Sequence, residues 1–208
     1  MKHKIIVAGI GPGHEAYIVP QALQAIKKAH ALVGGRRALA QFVTAEQNTM
    51  AITADIEGVM NFIRQQLGER DVVVMVSGDP GYYSLLDALR REFPLDTLQV
   101  IPGISAMQYA FAQLALPWHD TKLVSFHGRV PTAEDIKYLP GKIMGMLTDS
   151  QYNSQTIPEL LLKEGWPADT KLHICSRLSY EDEEIIATTL NKASQLSVHT
   201  HCILIVSG

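Results

Sequence analysis

Four runs in the first half of the chain are apolar without alternation: "KIIVAGI" (Lys4 to Ile10), "ALVGG" (Ala31 to Gly35), "DVVVMVSG" (Asp71 to Gly78) and "LQVIPG" (Leu98 to Gly103). An alternating strand hides one face, whereas a continuous apolar run is covered on both, as in a parallel sheet packed between helices. The intervening segments carry helical stripes. Ala16 to Ala29 lines up Ile18, Ala22, Ala25, Ile26 and Ala29, and Ile56 to Leu67 lines up Ile56, Val59, Met60, Ile63 and Leu67. Strands and helices alternating at crossover distance predict an α/β domain with a largely parallel sheet.

"ALPWHDTK" (Ala115 to Lys122) interrupts this rhythm with a proline and a polar cluster. A domain boundary is expected there, giving an N-terminal α/β domain over 1–116 and a C-terminal α/β domain over 117–208. Beyond it lie "LVSFHG", "KIMGMLTD", "KLHICSRL", "EEIIATTL" and "HCILIVSG", with helices such as Ser154 to Gly165 between only some of them. The closer spacing predicts a mixed sheet with antiparallel pairs.

Composition narrows the function classes. With 208 residues, 47% of them hydrophobic and 19% charged, the chain reads as a soluble globular protein with a sizeable core. A formal charge of -3 gives no global attraction to nucleic acid or a membrane surface, so anion binding must come from local clusters. No apolar run reaches the roughly 20 residues of a membrane helix. "MKHKIIVAGIGPG" leads straight into glycines and reads as a first strand, not a signal peptide. Cys175 and Cys202 sit in predicted strands, too far apart for a CxxC site, and are expected to be reduced thiols of a cytoplasmic protein.

Chemistry-bearing motifs cluster at strand ends, where α/β folds bind ligands. "GIGPG" (Gly9 to Gly13) follows the first strand but is not the dinucleotide fingerprint: His14 stands where the third glycine belongs, and Pro12 lacks an N–H. "GGRRAL" places Arg36 and Arg37 after the second strand, suited to a 2′-phosphate, to carboxylates, or to a solvated corner. In "GDPG" (Gly78 to Gly81), Asp79 can accept backbone N–H groups while Pro80 is placed to start the next helix. Tyr82 and Tyr83 follow, too close in sequence to share a helix face. "IPGISA" ends the fourth strand, with Ser105 placed to cap a helix. Three Gly-rich ends on one sheet edge indicate a shared site. "SFHGR" joins a titratable His127 to Arg129, which could hold carboxylates or, for His127, move a proton. In "HTHC" (His199 to Cys202) no third close ligand is visible, so a structural reading is preferred to a metal site. Walker, GxSxG and HExxH signatures are absent.

Taken in order, "GIGPG", "GGRRAL", "SGDPGYYSLL", "PGISA", "SFHGR" and "LTD" resemble the tetrapyrrole methylases (class III methyltransferases) of cobalamin biosynthesis. The subgroup they resemble most methylates C-5 of a precorrin or cobalt-precorrin. The resemblance covers essentially the whole chain. It implies two α/β domains, S-adenosylmethionine as methyl-donor cosubstrate in the cleft between them, a homodimer and no protein-bound metal. It places donor contacts at Pro12, Asp79, Tyr82, Ser105, Ala106, Leu147 and, more weakly, Leu178. "CSRLSYED" departs from the family, which has glutamate where Ser176 stands and glycine where Ser179 stands.

Some relatives carry a fused C-15 methylase and decarboxylase, which in this case is expected to be a separate partner enzyme. Because a corrinoid precursor bears many carboxylates, the candidates for substrate binding are Arg36, Arg37, His127 and Arg129, with His127 also the candidate proton acceptor. Methylation at another ring position, an NADP-dependent reductase and a non-catalytic corrinoid-binding protein stand as alternatives.

Overall fold

The computed structural model describes residues 3–208. The chain forms two compact units, one ending at Ser105 and the other beginning at Ala106. Both are α/β.

In the first unit, β1 (Ile5–Gly9), β2 (Ala31–Gly34), β3 (Asn48–Ala51), β4 (Val72–Val76) and β5 (Leu98–Ile101) form a sheet in the order β3-β2-β4-β1-β5. Every pairing is parallel. Successive residues of β4 show why the run is continuous: Val72, Val74 and Val76 enter one core with Val59, Met60, Ile63, Leu89 and Phe93, while Val73 and Met75 enter another with Ile18, Ala22, Ile26 and Ala38. The first core is supplied by α3 (Ile56–Gln66) and α4 (Leu86–Glu92), the second by α1 (Pro20–Lys28) and α2 (Arg36–Phe42).

Two local expectations change. β3 has no apolar signal, because "NTMA" is an edge strand whose first two residues are exposed. The helix expected from Ala16 begins instead at Pro20, since proline has no N–H and holds Val19 extended at ψ 141°. A short 3-10 turn over Glu15–Tyr17 precedes it, capped by His14 Nδ1, which accepts from the Ala16 amide.

The second unit contains α5 (Ala106–Gln113), β6 (Lys122–Ser125), α6 (Ala133–Ile136), β7 (Ile143–Leu147), α7 (Thr156–Lys163), β8 (Lys171–Ser176), β9 (Glu184–Thr189), α8 (Leu190–Ala193) and β10 (Ile203–Ser207). Its sheet order is β6-β7-β10-β8-β9. β6 and β7 are parallel, and β10 runs antiparallel to both β7 and β8. One face packs Met144, Met146, Leu172, Ile174, Leu204 and Val206 against Ile157, Leu161, Leu190 and Trp166, whose indole donates to the Ile136 carbonyl at 2.6 Å. The other face receives α5. Ala115 to Lys122, the stretch that breaks the sequence rhythm, joins α5 to β6.

α5 sits close because Gly145 in the middle of β7 has no side chain. A Cβ there would lie 2.6 Å from Met107 Sδ and 3.1 Å from both Leu123 Cδ2 and Phe111 Cε2. Gly145→Ala should therefore destabilise the protein by about 1–3 kcal/mol through overpacking, read as a lower urea midpoint with an unchanged slope. A wild-type midpoint would show that α5 is not held at this distance.

Candidate active site

The parallel sheet of the first unit sends the loops after β1, β2, β4 and β5 to one edge. There the backbone of three loops converges. The Ile10 amide donates to the Val76 carbonyl at 3.0 Å, and the Gly78 amide to the Gly11 carbonyl at 2.8 Å. Gly11 and Gly78 take the left-handed conformation, with φ of 76° and 72°, that side chains resist. A Cβ on Gly9 would stand 2.7 Å from both the Gly103 nitrogen and the Gly78 oxygen, and one on Gly103 would strike the Gly78 oxygen. Glycine is thus dictated by backbone meeting backbone.

Asp79 fastens this junction. Its Oδ2 accepts from the Gly103 amide at 3.0 Å and its Oδ1 from the Gly81 amide at 2.8 Å, tying the loop after β4 to the loop after β5. The next helix does not start at Pro80 as expected: α4 begins at Leu86. The intervening turn is built by side chains instead. Ser84 Oγ donates to the Pro80 carbonyl at 2.5 Å and accepts from the Leu86 amide at 3.1 Å.

The two tyrosines lie in this turn, edge to face with centroids 4.9 Å apart. Tyr83 is exposed and left-handed, with φ 52°. Tyr82 is half-buried, and its hydroxyl is sequestered without a hydrogen-bond partner. Burial, then the neighbouring Tyr83, push its phenol well above the ordinary range, so it remains a protonated donor. The edge thus gathers Pro12, which is buried, with Asp79, Tyr82 and the buried Ser105, and places Arg36 and Arg37, both exposed, in the first turn of α2. Two cations there oppose the helix dipole, so the helix does not account for them.

In the second unit, β6, β7 and β8 run the same way, and the loops after them meet the segment entering β10. His127 and Arg129, both exposed, follow β6; the half-buried Leu147 ends β7; the buried Leu178 follows β8; and Ala106 opens α5. Sequence reasoning missed two organising residues here. The Thr148 hydroxyl donates to the Cys202 carbonyl at 2.9 Å and accepts from the Cys202 amide at 2.8 Å, locking the end of β7 to the approach to β10. Asp149 accepts from the amides of Tyr152 (2.7 Å), Gln151 (2.8 Å) and Gly128 (3.1 Å), and these bonds hold its carboxyl below the usual carboxylate range. A polar pair directly after a strand, the "TD" of "MLTD", was the available signal.

"HTHC" precedes β10 instead of lying in it, and His201 is left-handed at φ 52°. Cys175 and Cys202 are buried free thiols; burial pushes Cys175 up to about 12 and raises Cys202, so neither is a ready nucleophile. Ser179 keeps the left-handed turn that glycine would make, at φ 68°, and its amide donates to Glu183 Oε2 at 2.5 Å. The turn's carboxylate therefore comes from Glu183, while Ser176 is a buried end of β8.

The family model of the Tetrapyrrole (Corrin/Porphyrin) Methylases matches residues 4–194. This chain belongs to that family. Among its curated relatives, this tetrapyrrole methylase is 33% identical over 181 residues to the cobalt-precorrin-7 C(5)-methyltransferase of Salmonella typhimurium, covering 87% of this chain and 88% of the relative. Two solved structures share the fold. The methyltransferase CobJ superposes with a TM-score of 0.82 at 20% identity, covering 99% of this chain and 94% of its own. Uroporphyrin-III C-methyl transferase from Thermus thermophilus, complexed with S-adenosyl homocysteine, has a TM-score of 0.75 at 18% identity, covering 98% and 92%.

Removing the Asp79 carboxylate should loosen the glycine junction. Asp79→Ala leaves the Gly81 and Gly103 amides without their acceptor, which should cost about 1–3 kcal/mol in a urea titration. Unchanged stability would mean that the loops hold together without it.

Proposed function

We propose that this tetrapyrrole methylase transfers a methyl group from S-adenosylmethionine to C-5 of a precorrin or cobalt-precorrin, the step from cobalt-precorrin-6B to cobalt-precorrin-7. The observation that carries the ring position is the 33% identity, over most of both chains, to an enzyme named for that position. The donor supplies a methyl group already activated on a sulfonium sulfur. What the protein must add is placement.

The first unit's strand-end edge fits a donor of this kind. Its loops are bonded to one another through backbone groups and Asp79, which limits the loop entropy lost on binding. The Tyr82 hydroxyl is a protonated group lacking a partner, which a polar atom of the donor would satisfy. Pro12, Ser105, Ala106, Leu147 and Leu178 are assigned to the donor with it. Asp79 is assigned to the donor as well; its two accepted amides fix the loop and leave its carboxylate with acceptor capacity to spare. In-line transfer needs the attacking carbon about 3–3.5 Å from the methyl group, and such alignment supplies several kcal/mol.

The electron-rich meso carbon of the reduced ring forms the new C–C bond as the S–CH3 bond breaks, its electron pair remaining on sulfur. A proton is then lost from the macrocycle. His127 is the candidate acceptor: its Nδ1 lies 3.3 Å from the Thr148 carbonyl, which can only accept, so Nδ1 carries the hydrogen and Nε2 is the basic nitrogen. Arg129, with Arg36 and Arg37, is assigned to the carboxylates of the tetrapyrrole. The protein is further proposed to be a cytoplasmic homodimer, with C-15 methylation and decarboxylation left to another enzyme. Among the described residues no helix is long and apolar enough to cross a membrane.

Incubation with isotopically labelled S-adenosylmethionine and the cobalt-precorrin substrate, followed by NMR of the product, should place the label at C-5. A label at another meso or pyrrole carbon would reassign the position, and no transfer would leave a binding protein. Arg129→Ala should weaken tetrapyrrole binding by about tenfold or more while sparing S-adenosylhomocysteine, since a charge-assisted hydrogen bond contributes about 1.5–3 kcal/mol. Equal losses for both ligands would remove Arg129 from the substrate side.

A further inference from the structure

The second unit holds a pair of imidazoles that the motif reading separated. His127 follows β6 and His201 precedes β10, yet their rings meet edge to face, 6.0 Å between centroids and 65° between planes. β7 lies between these two strands in the sheet, so the pair spans the end of β7. Thr148, at that end, organises both sides: its carbonyl faces His127 Nδ1, and its hydroxyl bonds both the amide and the carbonyl of Cys202, the residue after His201. His201 occupies a left-handed conformation that side chains resist. Both side chains nevertheless lie at the surface, where apolar packing cannot account for the arrangement.

Asp149 is an anion close enough to His127 to interact with it electrostatically, but its oxygens are engaged by three backbone amides. His199 is turned toward Glu184, 3.8 Å away, and Arg177 is paired with Asp182 at 2.9 Å. Arg129 is two residues from His127 and adds a further positive charge on the same loop. Among the described residues no third histidine, cysteine or carboxylate completes a metal-binding group with the pair. Two imidazoles this close repel each other when both are protonated, unless an anion sits between them.

We propose that His127 and His201 together form a subsite for one carboxylate of the tetrapyrrole, each donating a ring N–H, which takes the place of the proton-acceptor role for His127. The proposal rests on the assigned tetrapyrrole substrate and adds His201 to its binding surface.

The test uses uroporphyrin, a fluorescent tetrapyrrole with carboxylate side chains, titrated into the whole protein. S-adenosylhomocysteine binding by calorimetry is the control for folding. His201→Gln and His127→Gln should each weaken uroporphyrin binding by about tenfold, with S-adenosylhomocysteine affinity unchanged. Wild-type affinity in His201→Gln overturns the subsite while leaving the tetrapyrrole reading intact. Failure of the wild type to bind uroporphyrin, with S-adenosylhomocysteine still bound, overturns the assignment of tetrapyrrole carboxylates to this surface and the subsite with it.

Discussion

Backbone meets backbone at the tips of β1, β4 and β5, and the organisation of the first unit follows from that contact. Gly9 and Gly103 can approach each other and the Gly78 carbonyl only because neither carries a side chain, and Asp79 spans the gap by accepting one amide from each side of it. The contact fixes where the chain leaves each strand. It therefore fixes the path of the turn carrying Tyr82 and the position of Ser105 ahead of α5. A parallel sheet with both faces covered makes this economical, because the strand ends are registered by their own ladders before the loops begin.

The second unit solves the corresponding problem with side chains. At the end of β7 the Thr148 hydroxyl and the Asp149 carboxylate bind backbone groups of the loop after β6, of the approach to β10 and of their own loop, doing with polar groups what glycine contact does in the first unit. The difference matches the sheets. A mixed sheet brings a strand start, the approach to β10, next to two strand ends, and an incoming segment needs an anchor that an outgoing one does not.

Much of this architecture was legible in the chain, and the rest fails for identifiable reasons. The runs of β1 and β4 announce themselves because both faces of each strand are buried. β3 does not, since an exposed edge strand asks little of its residues. The start of α1 was misplaced because helical periodicity continues through Pro20 although the backbone cannot. Gly-rich strand ends pointed to the site, but the bond from Asp79 to Gly103 joins residues distant in sequence and has no local signature. Proximity of His127 to His201 is likewise a product of strand order, which no motif records.

The glycine junction also limits how this protein can change. A site lined by side chains can be remodelled one residue at a time, with each intermediate retaining some function. Where main chain touches main chain, a methyl group at Gly9 or Gly103 has to displace an entire neighbouring loop, so single steps lead out of the fold. Variation is channelled elsewhere, toward side-chain-built surfaces such as the edge bearing His127 and His201. The molecule is conservative at one sheet end and permissive at the other, and the division follows from which of the two is made of backbone.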